Sequence, residues 1–225
     1  KAVIVDPEFA PTMAKALALR QSSAPLLLID VEDEVFGPAL QKVGSTTYEA
    51  FVAAGDPQFA WELPADEWDA IALNYTSGTT GNPKGVLYSH RSNFLHTFMT
   101  LQADVLGLSV MDTILPVVPM FHANAWGLVY AAPMCGGKLV FPGPKLDGAS
   151  VYELLDKEQV TLSAGVPTVW LALLDYCAQN KLTMSSVKRT LIGGSAVPLA
   201  MIERFWKEHG VEVVQGWGMT EMSPL

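Results

Sequence analysis

Short runs of apolar or β-branched residues recur along the chain and alternate with longer segments in which apolar positions return every three or four residues. Strands are predicted at Ala2 to Val5, Leu26 to Ile29, Ile71 to Tyr75, Thr113 to Val117, Lys138 to Phe141, Thr161 to Ala164, Thr190 to Gly193 and Glu212 to Gln215. Helices are predicted at Thr12 to Arg20, Thr47 to Ala54, Ser89 to Leu106, Ala149 to Glu158, Pro167 to Gln179 and Leu199 to His209. Pro167 and Pro198 suit a first helical turn, where a missing N–H costs nothing, and Ser89 can cap its helix. Strand followed by helix, repeated, is the pattern of an α/β protein with a parallel sheet covered by helices.

The turn-rich stretch between Gly55 and Asp66 suggests a boundary between two stacked αβ subdomains, 1–66 and 67–225. The 225 residues, half of them apolar, suffice for a sizeable core, and disorder is excluded. The chain opens at Lys1 without a Met and closes at Leu225 just after a Gly-rich acidic motif, so it is expected to be a piece of a longer protein.

A net charge of −9 argues against a nucleic-acid footprint, which needs clustered Lys and Arg. It does not exclude a nucleotide, whose phosphates can be held by backbone N–H groups, one Lys and a metal ion. The apolar runs fall far short of the roughly 20 residues that span a bilayer. Cys135 and Cys177 form no metal or redox pattern and read as thiols of a reducing compartment, with cytoplasm the default location.

The strongest chemical signal is Tyr75 to Val86, YTSGTTGNPKGV, where a predicted strand enters a loop of Thr, Ser and Gly that ends on Lys84. Glycines let the backbone approach an anion, hydroxyls add donors, and Lys84 adds a point charge. A Walker A loop is disfavoured, because Pro83 stands five residues after Gly78 and Gly85 follows Lys84. A second block, Gln215 to Glu221 (QGWGMTE), places two glycines around an aromatic residue and ends on a hydroxyl beside a carboxylate. Such a block can stack on a base, bind a phosphate and hold a hard cation. Gly193-Gly194-Ser195-Ala196 closes a predicted strand, where an open α/β sheet presents its ligand-binding edge. Pro119 to Trp126, PMFHANAW, mixes apolar walls with one polar His122. His90 and His96 read as hydrogen-bonded core residues.

YTSGTTGNPKGV resembles the signature loop of the adenylate-forming superfamily, and QGWGMTE resembles that family's second ATP motif. The resemblance implies that Thr76, Ser77, Gly78, Thr79, Thr80 and Lys84 embrace the ATP phosphates, with Thr76 also near magnesium. It implies Glu221 as magnesium ligand, Thr220 at the α-phosphate, and Gly194, Ser195, Gln215, Gly216 and Trp217 around the nucleotide. Trp217 departs from the Tyr of many members, though a flat ring remains. Lys84, His122 and Thr220 take the catalytic positions, and His122, Ala123 and Trp126 line the acyl path. The run PMFHANAWGLVYAAPMCGGKLVFPGPKLDG, continued by AGVPTVWLALLDY, is similar to bacterial medium- and long-chain fatty acyl-CoA synthetases, with Trp126 at the position of a tunnel gate.

What this implies is an acid-thiol ligase: carboxylate and ATP give acyl-AMP and pyrophosphate, and CoA then gives the thioester, with magnesium as cofactor. A homodimer is the implied assembly. The acid that holds the ribose, the hinge and the adenylation lysine of a mobile C-terminal domain fall beyond Leu225 by resemblance, so the chain alone is expected to be inactive. Two rivals remain: a ligase for a small acid, such as a short-chain, aryl or methylthio-propionate substrate, and a non-catalytic nucleotide-binding module. A dinucleotide oxidoreductase ranks last, because no Gly-x-Gly-x-x-Gly follows a first strand.

Overall fold

A computed structural model describes residues 1–32, 41–76 and 81–223. Its contacts divide the chain into two units, Lys1–Leu63 and Pro64–Leu225.

In the first unit, β1 (Ala2–Val5), α1 (Ala10–Ala18), β2 (Leu27–Asp30), β3 (Thr46–Thr47) and α2 (Tyr48–Ala53) follow in order. The three strands form a parallel sheet in the order β1-β2-β3. α1 starts two residues earlier than its periodicity suggests, because Pro11 occupies the first turn. The buried Asp30 carboxylate at the end of β2 accepts the N–H groups of Val43 at 3.3 Å and Gly44 at 2.9 Å, which ties down the segment entering β3. Thr47 caps α2 by accepting the Ala50 N–H at 3.2 Å.

The second unit begins with a ribbon. β4 (Ala70–Thr76) pairs with β5 (Lys84–Ser89), and α3 (His90–Thr100) follows directly. The pairing is antiparallel, so the strand expected near Ile71 to Tyr75 belongs to a hairpin and not to the parallel sheet. Ser89 caps α3 by accepting the Ser92 N–H at 3.0 Å, and the Ser92 hydroxyl accepts the Ser89 N–H in return at 3.2 Å. α3 stops six residues before the expected Leu106. Beyond Thr100 the backbone bonds tighten into turns that close on Gly107, whose φ is +55°.

Then come β6 (Thr113–Pro116), α4 (Ala123–Trp126), α5 (Leu128–Cys135), β7 (Lys138–Leu139), α6 (Gly148–Lys157), β8 (Leu162–Gly165), α7 (Pro167–Asn180), β9 (Arg189–Ile192), α8 (Leu199–His209) and β10 (Glu212–Gln215). Five strands form a wholly parallel sheet in the order β10-β9-β8-β6-β7. Pro198 was expected inside the first turn of α8, yet its ψ of 135° is extended and it stands just before the helix. Strand alternation sends neighbouring residues to opposite faces. Leu115 and Ile192 enter a core with Trp170, Leu173, Leu174 and Phe205 from α7 and α8, while Ile114 and Leu191 enter a second core with Leu128, Ala131 and Ala132 from α5. β6, β8 and β9 are buried at nearly every position, whereas β10 at the end of the order keeps exposed residues at both ends. Where α6 meets α7, a Cβ on Gly148 would lie 2.5 Å from the Ala172 carbonyl oxygen, so only glycine permits that approach.

At the N-terminal ends of three strands sits a buried ionic knot. Asp112 accepts hydrogen bonds from the Ser109 N–H at 2.9 Å, the Ser109 hydroxyl at 3.1 Å, the Thr161 hydroxyl at 2.7 Å and the Arg189 guanidinium at 3.3 Å. It locks the starts of β6, β8 and β9 and leaves the opposite edge of the sheet for chemistry. Among the described residues no helix is long and apolar enough to cross a membrane.

Candidate active site

All the predicted ligand-binding segments of the parallel sheet leave it at the C-terminal ends of strands. Past β6 lies His122, past β9 lie Gly193, Gly194 and Ser195, and past β10 lie Gly216, Trp217 and a 3-10 turn, Thr220–Met222. This is the edge where open α/β sheets present their ligands.

α4 is a single turn of the wrong hand. Ala123, Asn124, Ala125 and Trp126 have φ of 45°, 53°, 51° and 54°. A left-handed residue costs about 1–2 kcal/mol, so four in a row must be held by their surroundings. Ala123, Ala125 and Trp126 are buried. The Asn74 side chain on β4 donates to Asn124 Oδ1 at 3.2 Å, and the Gly127 N–H donates to the Asn124 carbonyl at 3.0 Å. The turn swings the Trp126 indole over Gly193 and leaves His122, in extended conformation, exposed at its start.

Two cavities adjoin at this edge. The first, about 80 Å³, is lined by His122, Ala123, Trp126, Gly193 and Thr220 together with the glycines 194, 216 and 218. The second, about 340 Å³, is lined by Gly194, Ser195, Gln215, Gly216, Trp217 and Gly218. They share Gly194, Gly216 and Gly218, so bare backbone forms the seam between them. Gly194 takes φ +80°, which L side chains rarely adopt. Trp217 is 71% exposed, leaving an indole face free for a planar base.

The hairpin brings Thr76 and Lys84 side by side, because they are register partners where β4 and β5 enter the loop between them. Ser77, Gly78, Thr79 and Thr80, assigned to that loop from the sequence, lie outside the described residues. Lys84 is exposed and makes no ion pair among the described residues. On the following turn of the ribbon the buried Tyr88 hydroxyl donates to the Thr220 carbonyl at 2.6 Å.

The donor set suits magnesium. That ion takes one or two carboxylates plus phosphate oxygens and water, and no three-residue cluster of His, Cys, Asp or Glu is found among the described residues. The exposed Glu221 carboxylate has no protein ion-pair partner among those residues, and the Thr76 hydroxyl offers a neutral oxygen.

Sequence reasoning passed over Asn74, Tyr88 and Asn124. Their roles depend on partners far along the chain, which carry no local signal. It also read His96 as a hydrogen-bonded core residue. Instead both ring nitrogens are buried without a hydrogen-bond partner among the described residues, beside a cavity of about 390 Å³ lined by Ser92, Leu95, Met99, Thr100, Val105, Met222 and Ser223. Burial lowers the His96 pKa and keeps the ring neutral.

A parallel α/β sheet with glycine-rich loops at the C-terminal ends of its strands defines an open-sheet α/β protein with a ligand-presenting edge. Residues 1–225 match the AMP-binding enzyme family, and the chain belongs to it. It is 47% identical over 225 residues to a medium-chain-fatty-acid–CoA ligase of Ectopseudomonas oleovorans, covering 100% of this chain and 41% of that protein. It is 50% identical over 188 residues to a 3-methylmercaptopropionyl-CoA ligase of Ruegeria lacuscaerulensis, covering 83% of this chain and 35% of that protein. A long-chain-fatty-acid–CoA ligase of Thermus thermophilus is 54% identical over 156 residues, 69% of this chain and 29% of that protein. The crystal structure of a long-chain-fatty-acid–CoA ligase from Archaeoglobus fulgidus superposes with a TM-score of 0.80 at 25% identity, over 100% of this chain and 44% of that one. The chain thus spans well under half the length of these relatives.

Proposed function

We propose that this chain carries the acid-activating half of an ATP-dependent acyl-CoA ligase acting on medium- or long-chain fatty acids. The observation that carries this reading is the pair of cavities joined through three shared glycines, with His122 and Trp126 on one side and Gln215 and Trp217 on the other. Such a seam fits a mixed anhydride, whose acyl and adenylyl parts are joined through one bridging oxygen.

In the first step a carboxylate oxygen attacks the α-phosphorus of ATP, the bond to the β-phosphate oxygen breaks, and pyrophosphate leaves with that electron pair. The attacking group is already an anion, so no protein nucleophile is needed. Lys84, at the base of the loop, attracts the β- and γ-phosphates, and Thr220 donates toward the α-phosphate. His122, at the mouth of the smaller cavity, holds the carboxylate end on, while the Trp217 face takes the adenine. These are effects of position and charge placement. Magnesium bound through Glu221 and Thr76 would neutralise charge on the triphosphate. In the second step the CoA thiol adds to the acyl carbon, gives up its proton, and expels AMP.

The free, unpaired Cys135 and Cys177 suit a cytoplasmic setting, and we take the assembled enzyme to be a homodimer built of longer chains. The similarity to a methylmercaptopropionyl ligase favours one second reading, a ligase for a small acid. Carboxylate-dependent exchange of pyrophosphate into ATP by the full-length enzyme, over acids of two to eighteen carbons plus 3-(methylthio)propionate, decides between them. Maximal exchange at eight carbons or more is expected. Preference for two to four carbons overturns the fatty-acid reading, and no exchange with any acid favours a nucleotide-binding module.

A further inference from the structure

Tyr88 belongs to neither sequence motif, yet it joins them. It lies on β5 four residues beyond Lys84, is 1% exposed, and its hydroxyl reaches the Thr220 carbonyl at 2.6 Å across 132 residues of chain. A buried phenol satisfied by a backbone carbonyl is ordinary in a protein core. Its location is not. β4 and β5 form a sheet of their own, separate from the five-stranded sheet whose strand β10 leads to Thr220. Among the described residues no strand ladder connects the two sheets, so Lys84 and Glu221 are carried by different frameworks.

The Tyr88 hydrogen bond crosses that gap beside the chemistry. Burial raises the Tyr88 pKa, and the nearby charge of Glu221 raises it further, so the phenol stays a donor throughout the neutral range. Glu221 follows directly on Thr220, the residue whose carbonyl the phenol holds. We propose that Tyr88 is a positioning residue that sets the Thr220–Met222 turn, and with it the Glu221 carboxylate, against Lys84 for the magnesium–nucleotide complex. This rests on the ligase reading above. Tyr88 touches no substrate; it acts through Thr220 and Glu221.

The test uses the full-length enzyme with Tyr88→Phe, which keeps the ring and removes the donor, and with para-aminophenylalanine at the same position, which restores a donor. Tyr88→Phe is expected to raise the KM for MgATP and the magnesium concentration for half-activation about three- to tenfold, the size of one net hydrogen bond. The KM for the carboxylate should stay within twofold, and the para-amino enzyme should return to wild-type values. Unchanged MgATP and magnesium dependence in Tyr88→Phe overturns the proposal, as does a parallel rise in both KM values. Should Tyr88→Phe fail to fold, the para-amino enzyme decides: wild-type MgATP affinity supports the role, and weakened affinity with a normal Tm overturns it. Calorimetric binding of MgATP separates the two levels of inference. No binding by the wild type removes the ligase reading, whereas equal binding by wild type and Tyr88→Phe removes only the Tyr88 role.

Discussion

The indole of Trp126 lies over Gly193 so closely that a Cβ on that glycine would come within 3.1 Å of the ring and 3.0 Å of the Gly216 carbonyl oxygen. The indole thus sits against Gly193, the neighbour of the seam glycine Gly194. Gly193→Ala should push either the ring or the carbonyl by a few tenths of an ångström. We expect destabilisation of about 1–3 kcal/mol from overpacking. Activity should fall with a raised KM for the carboxylate, as read from thermal unfolding and steady-state kinetics of the full-length enzyme.

Asn74 and Asn124 are expected to be energetically coupled. Their 3.2 Å hydrogen bond holds the second residue of the left-handed turn. In a double-mutant cycle of Asn74→Ala and Asn124→Gly, unfolding free energies should show a coupling of about 0.5–1.5 kcal/mol. Asn124→Val should be worse than Asn124→Gly, because a β-branched residue strongly resists positive φ. Equal stability of the Val and Gly variants would contradict the role of backbone handedness here.

Lys84→Met should leave the fold intact and reduce pyrophosphate exchange by at least about 100-fold. Removing one charge aimed at a transferring phosphoryl group has effects of that order. The side chain is exposed and supports no packing, so the Tm should stay within a degree or two.

Asp112 yields a pH prediction. Burial alone would raise its pKa, but hydrogen bonds from Thr161 and Ser109 and the charge of Arg189 outweigh burial and leave it below its usual 3.8. The folded state therefore favours the carboxylate. Its contribution is complete above the unfolded pKa and fades as pH falls through the lower folded value. Asp112→Asn should destabilise by about 2 kcal/mol at pH 7, since buried donors then face an amide. The difference from wild type should shrink below about pH 4. Denaturant unfolding at pH 7, 5 and 3.5 measures it, and a pH-independent difference would contradict the ionic account.

The Cys177 thiol should be inert in the native enzyme. Burial is the main reason its pKa is pushed up to about 11, so little thiolate exists at pH 8. Iodoacetamide labelling mapped by mass spectrometry should modify the peptide holding the half-buried Cys135 well before the one holding Cys177, and denaturant should abolish the difference.

The strands of the large sheet were legible as short β-branched or apolar runs between helical segments, and β6, β8, β9 and β10 fall within a residue or two of their predicted positions. β5 was missed. Its sequence KGVLYS follows a glycine-rich loop without a break, and what makes it a strand is pairing with β4, a non-local event. α4 and α5 were missed for another reason. Gly127, Pro133 and Gly136 look like interruptions, and a left-handed turn leaves no periodic trace. Within the site, residue types suggested phosphate and base chemistry at Lys84 and Trp217, while Gly194 entered only through the family resemblance. The supports at Asn74 and Tyr88 bond partners 50 and 132 residues away, which no local pattern could reveal.

The strand order β10-β9-β8-β6 has a dimensional consequence. On the proposed reading the nucleotide-side loop leaves β10 and the acid-side loop leaves β6, three strand spacings apart, or about 14 Å. Hydrogen-bonded ladders keep that interval fixed, so the sheet acts as a gauge for the length of the reacting assembly. In the proposed ligase, insertions after β6 would deepen or shorten the acid's berth without moving the base's, so chain-length preference would change while nucleotide recognition stayed put.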